Sequence, residues 1–509
     1  MSSTGLSRAQ RLLGGWSANL LQLILSITQQ VALVPVFLHY CSSDMLAAWL
    51  ALYAAGNLAL VADCGLQLRA INRFLALKSC ADSFGRTAHV YARMQRIYVG
   101  LIGVLIAATL AGIYLLPPSD VLGFRSIPNF DTSFIIMTSG MVSVLLSNLP
   151  TALYRAHGLY GRAVWMQCAA MLVGQLAQLA VIAATGNLIA IAAAYVVPQM
   201  ALAFYLAAVD VRLLFPFLRR ARCSTRSSWY WIAGQFRRAF PFAIAGSTEI
   251  ALQNLPVVLI SALVTDRVAV AQWGLTRVVA GLVRGLCVQA TIPLAAELGH
   301  DHAIGAKYEL RRLYARGSVF VALLASVVVS GFLAFWPDFF TLWTHGLIPY
   351  DMALTLTLLI GAELVAPGLL ALGFAYYSDR GELLARTKGL QLVVFLILSL
   401  VLTPWMGPLG TAIAIVATDL VVQNGLLAAT IIWQTLERPA RHIVFLLALM
   451  LVVTGSGWGL GLATRAAFPW SGLAQFAAEC ALWLAVAALA ASPLMSRRLR
   501  VRLADMIPS

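Results

Sequence analysis

Apolar runs long enough to cross a bilayer recur along this chain, separated by gaps that carry Lys, Arg or Pro. About 20 apolar residues in a helix span the hydrocarbon core, and inside it each backbone N–H and C=O must find its partner within the protein. That requirement leaves a helical bundle as the fold. The candidate spans are approximately 14–38, 46–68, 97–116, 133–154, 163–184, 188–210, 239–264, 268–297, 317–336, 352–377, 389–404, 409–433, 442–463 and 473–492. The expected fold class is an all-α polytopic membrane protein with about 14 transmembrane helices. Composition agrees: 61% of the residues are hydrophobic and 11% charged, against about 25% charged in soluble domains.

Charge placement tests the span count. With the N-terminus placed in the cytoplasm and the sides alternating, thirty of the 35 Lys and Arg fall in cytoplasmic segments. Arg125, Arg267 and Arg465 fall outside, and Arg277 and Arg284 alone lie within a span. One missed or invented span would destroy this alternation, so positive charge predicts both termini inside. The formal net charge of +15 is then a topology signal, with attraction to anionic membrane lipids, and not a nucleic-acid footprint.

The N-terminal run from Leu12 to Leu38 is too long for a secretory h-region and has no small-x-small site after it, so it reads as a retained span. The seven cysteines have no metal-ligand or redox spacing and read as packing thiols. Non-cytoplasmic loops are short, the longest being Pro117–Thr132 and Pro337–Asp351, which leaves no room for a folded catalytic domain. The Val211–Arg238 segment is Arg-rich, contains Trp229 and Trp231, and reads as an interfacial linker.

The two halves show weak self-similarity. Val34-Pro35-Val36-Phe37-Leu38 matches Leu255-Pro256-Val257-Val258-Leu259, Gly65-Leu66 matches Gly285-Leu286, and Tyr154 with Gly158 matches Tyr377 with Gly381. The matches fall in order at nearly one offset. They predict two six-helix lobes related by a pseudo-two-fold: 1–210 and 239–435, joined by the basic linker 211–238 and followed by two extra spans and a basic tail in 436–509. Lobes duplicated in this way usually move against each other around a midplane site.

With the repeat in view, the whole chain resembles the polysaccharide-flippase branch of the multidrug/oligosaccharidyl-lipid/polysaccharide exporter superfamily. The local resemblance lies in Asp63-Cys64-Gly65-Leu66 leading into Arg69-Ala70-Ile71-Asn72-Arg73-Phe74. It implies a bacterial inner-membrane carrier that moves a polyprenyl-pyrophosphate-linked oligosaccharide outward by alternating access. A polysaccharide polymerase and glycosyltransferases are the protein partners that such a role implies. Flippases of this type are associated with cationic cavities, a role open to Arg277 and Arg284. The departure is in the first lobe, which has no basic residue between Arg11 and Arg69.

Arg277 and Arg284 lie seven residues apart on one helix face, roughly 10 Å along the axis. A central Arg facing lipid disfavours insertion by about 2.5–3.5 kcal/mol, so both should face water, an acid or an anion. Forked guanidinium donors match a pyrophosphate. The structural alternative is an ion pair with Glu249 or Glu363. The intramembrane acids Asp63, Glu249, Glu363, Asp419 and Glu479 are proton- or sodium-site candidates, with Glu249 or Glu363 preferred for coupling. Asp63 is also placed to pair with Arg69, and Asp419 to join Gln423 and Asn424 in a contact between spans. In span one, Gln22 and Gln29 share a face and suit either sugar hydroxyls or interhelical hydrogen bonds, as do Asn19 and Gln30. Gly457-Trp458-Gly459-Leu460-Gly461 follows no strand and reads as helix packing, not a phosphate loop.

Two other functions stay open. A cation-coupled multidrug exporter of the same superfamily would place acidic coupling sites in the first lobe, where only Asp63 is found. A membrane polymerase or glycan ligase would need a sizeable outer loop with catalytic Arg or His. The outer loops here offer Arg125, Arg267, Arg465 and a few His, so no enzymatic function, metal or organic cofactor is expected.

Overall fold

A computed structural model describes residues 8–78, 83–220, 229–378, 380–467 and 473–491. Every regular element among them is helical. Twelve described helices are long and apolar enough to cross a membrane, and two shorter apolar helices, Ile24–Tyr40 and Phe476–Val486, occupy the positions of the first and last expected spans. The basic tail from Arg497 onward, Cys80, Cys223 and the linker arginines Arg222 and Arg226 lie outside the described residues.

The chain forms two compact units, Met1–Val270 and Ala271–Ser509. The first contains α1 (Arg8–Tyr40), α2 (Ser43–Ala59), α3 (Leu66–Lys78), α4 (Ser83–Leu115), the short α5 (Pro118–Val121), α6 (Phe130–Val144), α7 (Asn148–Ala156), α8 (Tyr160–Thr185), α9 (Leu188–Tyr205), the short α10 (Val211–Leu214) and α11 (Trp229–Leu263). α12 (Arg267–Ala303) begins at its end. The second continues with α13 (Lys307–Trp343), α14 (Met352–Tyr377), α15 (Gly381–Met406), α16 (Pro408–Thr418), α17 (Ala429–Thr435), α18 (Pro439–Ala467) and α19 (Leu473–Ala491).

Several helices outrun the hydrophobic segments that predict them. α11 starts at Trp229, so the last third of the expected linker is a helical extension of the next span. Pro256 lies inside α11 as its counterpart Pro35 lies inside α1. The other two sequence matches differ in backbone. Gly65 has φ +70° at a helix break, whereas Gly285 sits within unbroken α12; Gly158 is left-handed at φ 78°, whereas Gly381 opens α15.

The Asp63-Cys64-Gly65-Leu66 step is the break between α2 and α3. A 3-10 turn covers Leu60–Asp63, and Cys64 (φ 49°) and Gly65 (φ +70°) follow in the left-handed region. The Asp63 carboxylate accepts from Gln67 N at 3.1 Å, capping the first turn of α3. Glycine is also required by packing. A Cβ at Gly65 would lie 2.6 Å from Ala243 N and 2.8 Å from Ala239 O, where α11 crosses the break.

In the second unit, α18 packs along α13 by the small residues of the Gly457–Gly461 stretch. A Cβ at Gly457 would meet the Ser330 side chain, and one at Gly461 would meet the Ala334 Cβ. This is the close helix approach that small residues permit in membranes. π-helical segments occupy Leu206–Asp210, after α9, and Asp419–Ala428, between α16 and α17.

Candidate functional site

The second unit gathers charged groups inside its spans. On α15, Lys388 and Gln391 stand three residues apart and so share a face; on the π-helical segment, Asp419 and Gln423 stand four apart. The two faces pair in register. Lys388 Nζ donates to Gln423 Oε1 at 2.8 Å, and Gln391 Nε2 donates to Asp419 Oδ1. From α12, Arg284 Nη1 reaches Asp419 Oδ2 at 3.2 Å. Two cations, one carboxylate and two amides thus meet where burying an unpaired charge would be prohibitive.

Lys388 corrects the charge assignment above, in which Arg277 and Arg284 alone lie within a span and the span here begins at 389. α15 begins at Gly381, two turns earlier, and Lys388 is 1% exposed inside it. Arg386 is the surface member, in an ion pair with Glu382 one turn away. Lys388 stands at the edge of the apolar run, directly after Arg386 and Thr387, and a Gln three residues on was the one available signal.

Arg284 therefore pairs with Asp419, an acid whose spacing predicts a contact with Gln423 and Asn424 instead. Arg277 lies one heptad before it on α12 and is half-buried. Glu249 is half-buried on α11. Glu363, 4% exposed on α14, accepts from the Ser326 hydroxyl of α13 at 2.7 Å and the Thr454 hydroxyl of α18 at 2.5 Å, both on Oε1. α14 continues as a helix through Pro367. Asn424 does not join Asp419; its amide donates to Leu364 O at 2.9 Å. Glu479 is buried on α19.

The first unit holds its acids differently. Asp63 accepts from Tyr98 Oη of α4 at 2.7 Å and from Asn148 Nδ2 of α7 at 2.8 Å, in addition to its cap on α3. It does not pair with Arg69, whose Nε donates to Gln235 at 3.4 Å. Asp210, which ends the first π-helical segment, accepts from Tyr154 Oη at 2.6 Å and pairs with Arg162 Nη2 at 2.7 Å. Gln29 is buried on α1, donating to Gln178 at 3.5 Å and accepting from Gln175 at 3.3 Å, so its amide bridges to α8. Gln22 is exposed. The side chains of Asn19 and Gln30 lie outside the described residues.

These features define a polytopic helical membrane protein that keeps hydrogen-bonded and ion-paired charges within its spans. Solved structures of membrane transporters share that fold. A lipid II flippase, MurJ, in an inward closed conformation matches with a TM-score of 0.68 at 10% identity, over 94% of this chain and 99% of that one. An inward-facing multidrug resistance MATE family transporter matches with a TM-score of 0.61 at 15% identity, over 82% and 95%. A MOP superfamily transporter from Pyrococcus furiosus, described as having a binding pocket of reversed polarity, matches with a TM-score of 0.52 at 14% identity, over 85% and 96%. No protein-family model and no curated protein sequence matches the chain.

Proposed function

We propose that this protein is a flippase that carries a polyprenyl-pyrophosphate-linked oligosaccharide across a bacterial inner membrane by alternating access, for surface polysaccharide synthesis, with both termini in the cytoplasm. The observation that carries this reading is the set of cations held inside the second unit. Arg277 and Arg284 share a face of α12, and Lys388 is buried in α15. A guanidinium that a carboxylate already holds can exchange that partner for the forked acceptor geometry of a pyrophosphate. Asp419 holds Arg284 in place until such an exchange. The fold shared with a lipid II flippase over almost the whole chain supports the same class of cargo.

The competing reading is a cation-coupled multidrug exporter, favoured by the likeness to a MATE family transporter. It would use an internal acid as its working group. Of the internal acids in the first unit, Asp63 is engaged by Tyr98, Asn148 and the start of α3, and Asp210 by Tyr154 and Arg162.

Reconstituted vesicles discriminate the two. Vesicles loaded with a fluorescent polyprenyl-pyrophosphate disaccharide should show protein-dependent movement of the label between leaflets, lost in Arg277→Ala. Extrusion of lipophilic cations with no movement of the lipid-linked sugar would establish the exporter instead.

A further inference from the structure

Three guanidiniums converge in the first unit. Arg69 and Arg73 lie four residues apart on α3 and Arg238 lies on α11; with Gln235, Tyr230 and Trp231 they line a cavity of about 260 Å³. Neither helix places an acid there, and among the described residues no carboxylate pairs with any of the three. Arg69 is half-buried. Burial first, then the charges of Arg238 and Arg73, hold its guanidinium below the usual arginine value. Its Nε is spent on Gln235. Its terminal Nη groups donate to nothing among the described residues, which leaves the forked edge available.

Like charges brought together without a counter-charge repel, and a helix pair that holds them so is completed by an anion. The position limits which anion. α11 becomes a candidate span from Trp229, and Trp229 and Tyr230 are 74% and 88% exposed. Exposed aromatic rings at the start of a span mark the level of the lipid headgroups. The cavity is smaller than the about 300 Å³ at which pockets for drug-sized ligands begin, a volume suited to a headgroup and not to a whole lipid or an oligosaccharide.

We propose that Arg69, Arg73 and Arg238 form a binding site for a phosphate-bearing headgroup at the membrane surface, with Gln235 orienting Arg69. The shared chemistry is a phosphate anion, supplied either by an anionic phospholipid or by the pyrophosphate of a polyprenyl carrier. The site stands whether or not the protein moves a lipid-linked saccharide.

The test is thermal unfolding of the purified full chain in neutral detergent micelles. One arm adds phosphatidylglycerol, with phosphatidylcholine as the reference; the other adds inorganic pyrophosphate to phosphatidylcholine micelles. The wild-type midpoint should rise with the anion, and the triple variant R69Q/R73Q/R238Q should lose that rise. Each guanidinium removed should weaken the apparent affinity by roughly tenfold or more. In phosphatidylcholine alone the triple variant should unfold at or above the wild-type midpoint, because three mutually repelling charges are gone. Should the triple variant fail to fold, Arg238→Gln, at an exposed position, is measured in its place. A rise with phosphatidylglycerol alone identifies a bilayer lipid as the occupant; a rise with pyrophosphate, with or without the lipid, identifies a site open to a pyrophosphoryl carrier. Either supports the proposal. A wild-type midpoint unmoved by both, or variants that respond as the wild type does, overturns it.

Discussion

The Arg284–Asp419 pair lends itself to a double-mutant cycle whose two readouts separate a structural role from a working one. Arg284→Met removes the charge while keeping a long apolar side chain and leaves Asp419 buried without its guanidinium. Removing one member of a buried ion pair typically costs about 3–5 kcal/mol. The Arg284 side chain is 25% exposed and that of Asp419 10%, so solvent screens part of the loss and about 2–3 kcal/mol is expected. Asp419→Asn keeps an acceptor for Gln391 but strands the guanidinium, at about 2 kcal/mol. The double variant leaves no stranded charge, so its loss should fall short of the sum by about 1–2 kcal/mol. Denaturant-induced unfolding in detergent reports the stability side of the cycle, and leaflet-to-leaflet movement of a lipid-linked sugar in vesicles reports the other. A guanidinium that grips substrate gives recovered stability with transport still abolished in the double variant. A purely structural pair gives recovery of both. Losses that add within about 0.5 kcal/mol would refute the coupling itself.

Two further substitutions follow from the geometry. Glu363→Gln keeps Oε1, the atom that accepts from both Ser326 and Thr454, so stability should change by less than about 1 kcal/mol. If Glu363 couples transport to protons or sodium, transport should lose its dependence on the gradient, and an unchanged dependence in flux assays removes that role. Gly65→Ala puts a Cβ 2.6 Å from Ala243 N at φ +70°. Left-handed strain and overpacking against α11 should together cost about 2–4 kcal/mol in detergent unfolding, and a change within about 0.5 kcal/mol would refute the crossing.

Hydrophobic run length exposes the spans because the bilayer sets it, and the helices at 352–377 and 188–210 begin and end within a few residues of the expected limits. What run length does not reveal is how far a helix continues beyond the hydrocarbon, and so α11 and α13 begin ten residues before their apolar segments. Partners are harder still. Tyr98 and Asn148 lie 35 and 85 residues from Asp63, and local spacing suggested the nearer Arg69 instead. Charge counting by loop failed at Lys388 for a related reason. A buried Lys looks like a loop Lys until its acceptor, Gln423 on another helix, is known. The intramembrane cost of Arg277 and Arg284, by contrast, follows from sequence position alone, and it singled out α12 without any contact being known.

The two π-helical segments sharpen the asymmetry between the units. Each occurs in the sixth apolar segment of its half, and each bears a buried aspartate at one end, Asp210 as the last residue and Asp419 as the first. A π-helical turn accommodates an extra residue and recurs at functional sites, and a buried ion pair seldom adds stability over an apolar replacement. Stability alone is therefore a weak reason for both halves to hold an Asp–Arg pair beside such a turn. The partners differ in depth. Arg162 comes from the first turn of α8, with its side chain 46% exposed, and Tyr154 shares its aspartate. Arg284 comes from the middle of a 37-residue helix, and its aspartate is shared with Gln391. An anion drawing Arg162 away would act near a helix end, where water already competes for the charge. An anion drawing Arg284 away would act within a span, at a side chain 25% exposed against 46% for Arg162, where solvent screens the exchange less. That difference in depth is the physical reason to look for the substrate grip in the second unit.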